Sequence, residues 1–347
     1  MISSEFYHRL LSHCIPCPKK TLASKSVLTP PHTRKFARSY RSSAPIAKKF
    51  NLRINLSEAT RNQSERMPDQ DLDLEECLKV AIQAGRDAGE LIRKAWDQAR
   101  TVEHKGAVDL VTETDKECEA LVLGQLKGAF PSHKFIGEEE TAAMGFIPEL
   151  TDEPTWLVDP VDGTTNFVHR FPFCCVSIAL SVNSKVVVGV VYNPILNELF
   201  HAKDESGAFL NGKAIHCSGA SDLKSSIFIT ELGTRRDKEY MDAVFSRMKI
   251  VAEHTRGMRS CGSCALNLCS VACGRADAYY EIGLGGPWDM AAGSKILEEA
   301  GGVVSDPIGS PVSIMSRRIL GTNSHLGPLV ASILSKAPCL DNEPQPK

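Results

Sequence analysis

The sequence has no apolar run approaching the ~20 residues that a membrane-spanning helix needs, so we expect no membrane partner. It contains no G-x-x-x-x-G-K-[ST] loop, which disfavours a P-loop kinase. The glycines within residues 283–286 do not have the spacing of a dinucleotide-binding fingerprint. No G-x-S-x-G elbow occurs either, and a serine hydrolase is therefore also disfavoured.

Cysteine arrangements typical of zinc sites are missing as well, although the chain contains 12 cysteines. There are two C-x-x-C pairs, Cys14/Cys17 and Cys261/Cys264, which are far apart in the sequence. Neither has a second such pair or a His pair at the spacing that a zinc site needs. Most of the other cysteines lie in apolar stretches of a large chain, where reduced and buried thiols are expected. We therefore expect neither a structural zinc nor a disulfide scaffold.

Acidic residues are scarce at the start of the chain, where residues 1–66 hold 13 Lys or Arg against three acids. This basic segment, rich in Ser and Pro, is typical of an organelle transit peptide, with a plastid favoured over a mitochondrion. If translation instead starts at Met67, we expect the protein in the cytoplasm. Residues 67–347 hold 27 basic and 39 acidic residues, which argues against a nucleic-acid partner and is compatible with attracting divalent cations.

Hydrophobic periodicity predicts mixed α+β and α/β structure after the leader. Apolar residues recur at three- and four-residue steps from Leu74 to Ala95, which predicts a helix. A capping box at Thr114 is expected to start a second helix. From about residue 218 strands and helices alternate, including a predicted strand at 250–253. The predicted divisions are a basic leader at 1–66, an N-terminal α+β domain at 67–217 with most of the metal ligands, a C-terminal α/β domain at 218–337 and a tail at 338–347.

The most informative stretch is WLVDPVDGTTNF at residues 156–167, an apolar strand that runs into a turn. Asp159 and Asp162 are expected at the C-terminal edge of this strand, where hard oxygen ligands for Mg²⁺ are usually placed. Gly163 and Thr164 would offer backbone amides to a phosphate if a helix starts there. An ordinary surface turn has a similar composition, so this stretch by itself leaves both interpretations open.

Further carboxylates stand at predicted strand ends and helix starts. Each is ordinary by itself, and an Asp that opens a helix, such as Asp289, is usually only a cap. Together they suit a two-metal phosphate site, in which one cation activates water and the other stabilises the leaving oxygen. The members of this set are Asp115, Glu138, Glu139, Asp159, Asp162, Glu281 and Asp289.

Four motifs in register make the sequence similar to the inositol monophosphatase family. Residues 156–169 resemble its first signature and residues 288–302 its second, while residues 108–115 and 137–139 match its remaining acidic motifs. The similarity covers about residues 72–335, nearly all of the chain after the leader. It implies a Mg²⁺-dependent, lithium-inhibited phosphatase of inositol metabolism and phosphatidylinositol signalling. It also implies a homodimer with a layered α-β-α-β-α sandwich of the sugar phosphatase type.

The resemblance implies roles for individual residues. The implied metal ligands, for two or three Mg²⁺ ions, are Glu138, Asp159, the carbonyl of Val161, Asp162 and Asp289. The implied catalytic residues are Glu138 and Thr164, which position the attacking water, and Asp159, which bridges two cations. The implied substrate contacts are Asp162, Gly163, Thr164, Gly262, Ser263, Cys264, Glu281 and Asp289, with Glu281 on the polyol. Asp115 and Lys105 are implied as supporting residues.

One loop departs from the best-known members of that family. Residues 284–288, LGGPW, lack the histidine of the vertebrate enzymes and resemble the plant-type branch, which is associated with inositol phosphates and L-galactose 1-phosphate. We expect hydrolysis of myo-inositol monophosphate by direct attack of activated water, without a phosphoenzyme. The alternatives are a phosphatase for L-galactose 1-phosphate or histidinol phosphate, and an inactive scaffold of the same fold. An intact ligand set speaks against the inactive scaffold.

Overall fold

The computed structural model describes residues 72–98, 102–104 and 110–345, so the predicted leader lies outside the described residues. The described helices are α1 (Leu74–Ala95), α2 (Glu113–Ala129), α3 (Glu138–Met144), α4 (Thr164–His169), α5 (Lys238–His254), α6 (Cys264–Ala272), α7 (Pro287–Glu299) and α8 (Gly327–Leu334). The described strands are β1 (Val102–His104), β2 (Leu110–Thr112), β3 (Lys134–Gly137), β4 (Thr155–Asp162), β5 (Cys175–Val182), β6 (Lys185–Asn193), β7 (Glu198–Lys203), β8 (Ala208–Leu210), β9 (Lys213–Ile215), β10 (Ile227–Thr230), β11 (Gly257–Arg259), β12 (Ala278–Ile282), β13 (Val303–Ser305) and β14 (Arg318–Thr322).

A seven-stranded sheet takes up β3 to β9 in sequence order. β3 and β4 pair in parallel, and every other neighbouring pair in this sheet is antiparallel. Asn183 and Ser184 have φ values of 51° and 60° at the tight turn between β5 and β6. Two successive residues with positive φ match the twist of a two-residue hairpin. This confirms the predicted hairpin at Asn183-Ser184.

Alternate residues of the central strands bury opposite faces of this sheet, as strand geometry requires. Val176, Ile178 and Leu180 of β5 pack in one core with α1 and α2. Ala179 faces the other way, into a second core that contains α6 and α7. The helix predicted from Leu74 is confirmed, and its first turn is capped by Asp73. The sheet is therefore covered by helices on both faces.

A five-stranded sheet follows in the order β11-β10-β12-β14-β13. β10 pairs in parallel with β11 and β12, and the remaining pairs are antiparallel. α6 and α7 lie between the two sheets, because their apolar residues share one core with both. α5 and α8 cover the outer face, where Val251 and Val330 pack with Phe228 and Leu320. The layers run α-β-α-β-α, which confirms the predicted fold.

Close contacts at two glycines set the depth of α7 between the sheets. A Cβ on Gly189 of β6 would lie 2.6 Å from the carbonyl oxygen of Ala292 in α7. A Cβ on Gly293 would lie 2.8 Å from Cβ of Leu268 in α6. Since a real side chain does not fit at either point, these glycines allow backbone and helix to approach closely. The position of the N-terminal end of α7 follows from this packing.

Two local predictions were wrong. The strand expected at 250–253 is the last part of α5, because Val244, Met248 and Val251 continue a helical spacing of buried residues. The second helix begins at Glu113, and its capping contacts join Thr112 and Asp115 instead of starting at Thr114. The domain boundary at 217/218 stays a prediction. α7 belongs to the predicted C-terminal domain but packs on the first sheet. None of the described helices combines the length and apolarity of a membrane span.

Candidate active site

One cavity of about 490 Å³ lies where the C-terminal ends of β4, β10 and β12 meet the N-terminal ends of α3, α4, α6 and α7. Carboxyl ends of strands and amino ends of helices are a common place for ligands in layered α/β folds. The structure brings all predicted metal ligands and substrate contacts to this cavity. They are Glu138, Asp159, Val161, Asp162, Gly163, Thr164, Gly262, Ser263, Cys264, Glu281 and Asp289.

The end of β4 is bent around Pro160. Asp159 pairs with Ser177 of β5 and Asp162 pairs with Cys175, so the register shifts by one residue between them. A proline suits such a bulge, because it has no N–H to leave unpaired in the ladder. Asp159 Oδ1 accepts a hydrogen bond from the Val161 N–H at 3.0 Å, and the side chain is 3% exposed. The bulge therefore lets two carboxylates three residues apart reach the same cavity.

Asp162 links the end of β4 to the start of α6. Its Oδ2 accepts hydrogen bonds from Ser263 Oγ at 2.6 Å and from the Ala265 N–H at 2.8 Å. Ser263 is also the N-cap of α6, where its Oγ accepts from the Leu266 N–H. An anion at a helix N-terminus is stabilised by the free N–H groups and by the helix dipole. The contact holds the predicted phosphate side and the predicted sugar side of the cavity together.

Asp289 is fixed by the first turn of α7. The sequence had indicated that Asp289 opens this helix. The helix begins at Pro287 instead, so Asp289 is its third residue. Proline is favoured at the first helical position. Asp289 Oδ2 accepts a hydrogen bond from the Gly285 N–H at 2.7 Å, which folds the loop before the helix back onto the carboxylate. The predicted metal ligand also orders the loop that distinguishes this sequence.

Glu138 is the first residue of α3, and the N-terminal end of that helix is held by Glu119 of α2. Glu119 Oε2 accepts from the Glu139 N–H at 2.8 Å, and its Oε1 accepts from the Glu140 N–H at 2.7 Å. A Cβ on Gly137 would lie 2.6 Å from Glu119 Oε2, so the glycine makes room for this carboxylate. Burial raises the pKa of Glu119 to about 7. Glu119 thus determines where Glu138 enters the cavity.

Asp115 does not line the cavity but contacts it through Thr164. Its Oδ1 accepts from Thr164 Oγ1 at 3.0 Å, and its Oδ2 accepts from the Thr112 N–H at 2.9 Å. Thr164 Oγ1 also lies 3.1 Å from the Val161 carbonyl oxygen, a second acceptor for the same hydroxyl proton. Burial raises the pKa of Asp115, which is 1% exposed, to about 6. Asp115 is therefore a positioning residue for the Thr164 hydroxyl.

The opposite wall of the cavity is formed by β12 and the loop before α6. Tyr279 donates a hydrogen bond to Glu281 Oε2 at 2.5 Å. Burial raises the pKa of Glu281 well above its usual range, and the charge of Glu231 acts in the same direction. Gly262 has a φ of 81°, which favours glycine, and Ser263 and Cys264 follow it along this wall. This wall presents hydrogen-bonding groups to the cavity and contacts the Asp159–Asp162 turn through Ser263.

The carboxylates of the cavity repel one another. Burial raises the pKa of Asp289 well above its usual range, and the charges of Glu138 and then Asp162 raise it further. Burial also raises the pKa of Asp162, with a further rise from the charge of Glu138, against the lowering by its hydrogen bonds to Ser263 and Ala265. Among the described residues that line the cavity, Arg236 is the one cationic side chain. The described residues that line the cavity therefore carry an excess of negative charge.

Comparisons with known proteins agree with this geometry. The model of the inositol monophosphatase family matches residues 73–338. The chain belongs to this family. It is 58% identical to inositol monophosphatase 2 of Solanum lycopersicum over 253 residues, which is 73% of this chain and 96% of the tomato protein. The family hydrolyses phosphoric monoesters, and the chain is an enzyme of that class.

Solved structures of family members have the same fold. An inositol monophosphatase of Thermotoga maritima superimposes with a TM-score of 0.67 at 33% sequence identity, covering 75% of this chain and 97% of that one. A staphylococcal member, SaIMPase-II, superimposes with a TM-score of 0.62 at 28% identity, covering 75% of this chain and 94% of that one. That second structure is described as bound to inositol monophosphate.

The donor set of this inositol monophosphatase family member fits a hard divalent cation. Glu138, Asp159, Asp162 and Asp289 line one cavity with Val161, and an excess of anionic oxygen is what such a cation neutralises. In the described ranges, no three His, Cys, Asp or Glu side chains are arranged to hold an ion by themselves. Mg²⁺ takes oxygen ligands and completes its shell with water and substrate phosphate.

Besides Glu119, the sequence did not reveal Asn166, Glu231 and Arg236 around this family site. Asn166 Nδ2 donates to the carbonyl oxygens of Phe173 and Cys261 at 2.8 and 2.7 Å. Asn166 lies within the WLVDPVDGTTNF stretch, two residues after Thr164, which was a usable signal. Glu231 and Arg236 follow an apolar strand in an ordinary polar loop, and no local pattern marks them. The predicted supporting residue Lys105 lies outside the described residues.

Proposed function

We propose that this enzyme hydrolyses myo-inositol monophosphate to inositol and phosphate with Mg²⁺ as its cofactor. The observation that carries the proposal is the division of one cavity into two walls. Four carboxylates, those of Glu138, Asp159, Asp162 and Asp289, form one wall, and Glu281 with the Gly262–Cys264 segment forms the other. A phosphate needs cations in the first region, and a polyol needs hydrogen-bonding partners in the second.

Residues of the first wall would hold the cations and orient the reactants. Glu138, Asp159 and the Val161 carbonyl are the proposed ligands of one Mg²⁺, and Asp159, Asp162 and Asp289 those of another. Bound Mg²⁺ would lower the pKa of water and stabilise the charge of the leaving oxygen. Glu138 and the Thr164 hydroxyl, which is held by Asp115, would orient the attacking water, and the Gly163 and Thr164 amides would bind phosphate.

L-galactose 1-phosphate, or histidinol phosphate, is the alternative substrate. It is favoured by the loop before Asp289, because this loop lies in the cavity where the leaving group is expected. Leu284 and Gly285 line the cavity, and Gly285 donates its N–H to Asp289. The shape of this loop would then select which leaving group fits the cavity.

Release of phosphate from a substrate panel tests the proposal. The panel contains myo-inositol 1-phosphate, L-galactose 1-phosphate and histidinol phosphate, each with and without Mg²⁺ and with Li⁺ added. The proposal predicts Mg²⁺-dependent release that is fastest from the inositol ester and is inhibited by Li⁺. Comparable rates on the first two substrates would establish a dual-specificity enzyme, and no release from any substrate would overturn the proposal.

We propose further that the enzyme is a homodimer and that residues 1–66 direct it to a plastid. Phe171 and Leu196 support a subunit contact, because both side chains are about half exposed and their loops are joined by a hydrogen bond from Asn193 to the Pro172 carbonyl. Light scattering of the purified protein tests the dimer. The N-terminal sequence of protein isolated from its source tests the leader.

A further inference from the structure

The loop at 260–263 lies between β11 and α6 and forms part of the wall expected to meet the polyol. Its amide groups point to a single side chain, that of Glu231. Glu231 Oε1 accepts hydrogen bonds from the Cys261 N–H at 2.7 Å and from the Gly262 N–H at 2.9 Å. Ser260 Oγ donates to Glu231 Oε2 at 2.7 Å, so three successive residues of the loop form hydrogen bonds to Glu231.

The same loop is held from the opposite direction by Asn166. Asn166 Nδ2 donates to the carbonyl oxygen of Cys261 at 2.7 Å and lies 3.3 Å from that of Gly262. The peptide groups of Cys261 and Gly262 are therefore fixed at both ends, with their N–H groups on Glu231 and their carbonyls on Asn166. Asn166 belongs to the helix that follows the phosphate-side turn, so Glu231 is the anchor on the polyol side.

The two oxygens of Glu231 have different capacities left. Oε1 also accepts from Asn267 Nδ2 at 2.8 Å, which gives it three donors. Oε2 has one donor among the described residues, Ser260 Oγ, although a carboxylate oxygen can accept about two hydrogen bonds. Glu231 lines the cavity, as does Glu281, and its charge is the largest electrostatic influence on Glu281. Glu231 Oε2 can thus accept from a hydroxyl in the cavity.

We propose that Glu231 is a specificity-determining residue, which fixes the 260–263 loop through Oε1 and accepts a hydroxyl of a polyhydroxylated leaving group through Oε2. This inference rests on the proposed phosphatase function, because it assigns the substrate side of that same cavity. The described hydrogen bonds of Glu231 go to the 260–263 loop and to Asn267, and not to a carboxylate of the phosphate wall, so it selects the alcohol part of the substrate and not the phosphate.

The test compares two constants measured in one assay on the full-length protein with Mg²⁺. The KM for myo-inositol 1-phosphate depends on substrate contacts with both walls. The inhibition constant of inorganic phosphate depends on contacts with the phosphate wall alone. Released inositol is the signal for both constants. For Glu231→Ala we expect KM to rise about 10- to 100-fold, the range for losing one or two charge-assisted hydrogen bonds. The phosphate inhibition constant should stay within about twofold, because no phosphate contact is removed.

Two further variants separate specificity from folding. Glu231→Gln keeps one carbonyl acceptor for the loop amides, so its KM should rise only about threefold, with the phosphate constant unchanged. If Glu231→Ala does not fold, this variant decides the question. Glu253→Ala, at an exposed carboxylate of α5, is the matched control and should behave as the wild type.

Three results would overturn the inference. KM and the phosphate inhibition constant that worsen in parallel would show a general structural role. An unchanged KM in both Glu231 variants would show that the carboxylate does not reach the substrate. A wild type that hydrolyses none of the panel substrates would refute the proposed function, and this inference would fall with it, whereas an active wild type with unaffected variants refutes the inference alone.

Discussion

Gly189→Ala is expected to displace α7 from the seven-stranded sheet and to lower both stability and activity. The new Cβ would lie 2.6 Å from the carbonyl oxygen of Ala292 and 3.2 Å from its Cα and carbonyl carbon. These are backbone atoms, so no side-chain rotation relieves the clash, and helix or strand must move by a few tenths of an ångström or more. Overpacking of this kind typically costs about 1–3 kcal/mol.

The displacement should also affect catalysis, because Ala292 lies less than one helical turn after Asp289. A shift of that size at a cavity-lining carboxylate is expected to lower kcat/KM by about tenfold or more. The free-energy loss corresponds to a fall in the thermal midpoint of about 3–10 °C for a chain of this size. Calorimetry and phosphate release measured on the same preparation test both effects.

Gly124→Ala is the matched control for this prediction. Gly124 lies within α2 at an exposed position, and a Cβ there meets no atom within 4 Å. Alanine at such a position should stabilise the helix by about 0.5–1 kcal/mol and leave activity unchanged. If Gly189→Ala keeps the wild-type midpoint and activity, the position of α7 does not depend on the missing side chain at Gly189. A lower midpoint in Gly124→Ala would show that alanine at a helical glycine destabilises this protein even without a clash.

Two further predictions concern buried carboxylates. Burial raises the pKa of Glu119 to about 7, so the folded state holds its proton more tightly than the unfolded state, and this residue's contribution to the unfolding free energy falls by at most about 3 kcal/mol as pH rises from about 4.5 to 7. Glu119→Gln should lack this fall in urea titrations across that pH range, Glu117→Gln should follow the wild type, and identical pH profiles for all three proteins would contradict the assignment. Glu343→Ala should destabilise by about 3–5 kcal/mol, because it leaves Arg247 buried without its ion-pair partner, whereas Asp341→Ala at an exposed position should change the midpoint little.

Local patterns predicted much of the fold and most of the site. Asp159, Asp162 and Thr164 stand within one short motif, and the strand and helix that carry them follow from adjacent residues. The helix starts were less accurate near the site, because Asp115 and Asp289 act as capping residues as well as predicted site residues. A capping contact three residues away fixed the start of α2 at Glu113.

Two of the residues that the sequence did not reveal, Glu231 and Glu119, have partners far away along the chain. Glu231 binds backbone amides about 30 residues later, and backbone N–H groups leave no trace in a sequence. Glu119 binds the amides of Glu139 and Glu140 in the same way. The strand at 250–253 was wrong because a short apolar run fits a strand and the end of a buried helix equally well. Only the packing of α5 decides between them.

We propose that the cavity around Asp159 is a cation-dependent phosphatase site. The most direct test is phosphate release from myo-inositol 1-phosphate by the wild type, Asp159→Asn and the exposed control Asp152→Asn, each with Mg²⁺ or with a chelator. We predict release by the wild type and the control only with Mg²⁺, and a loss of at least about 100-fold in a folded Asp159→Asn. Substantial turnover by Asp159→Asn, with the Mg²⁺ dependence of the wild type, would contradict the account.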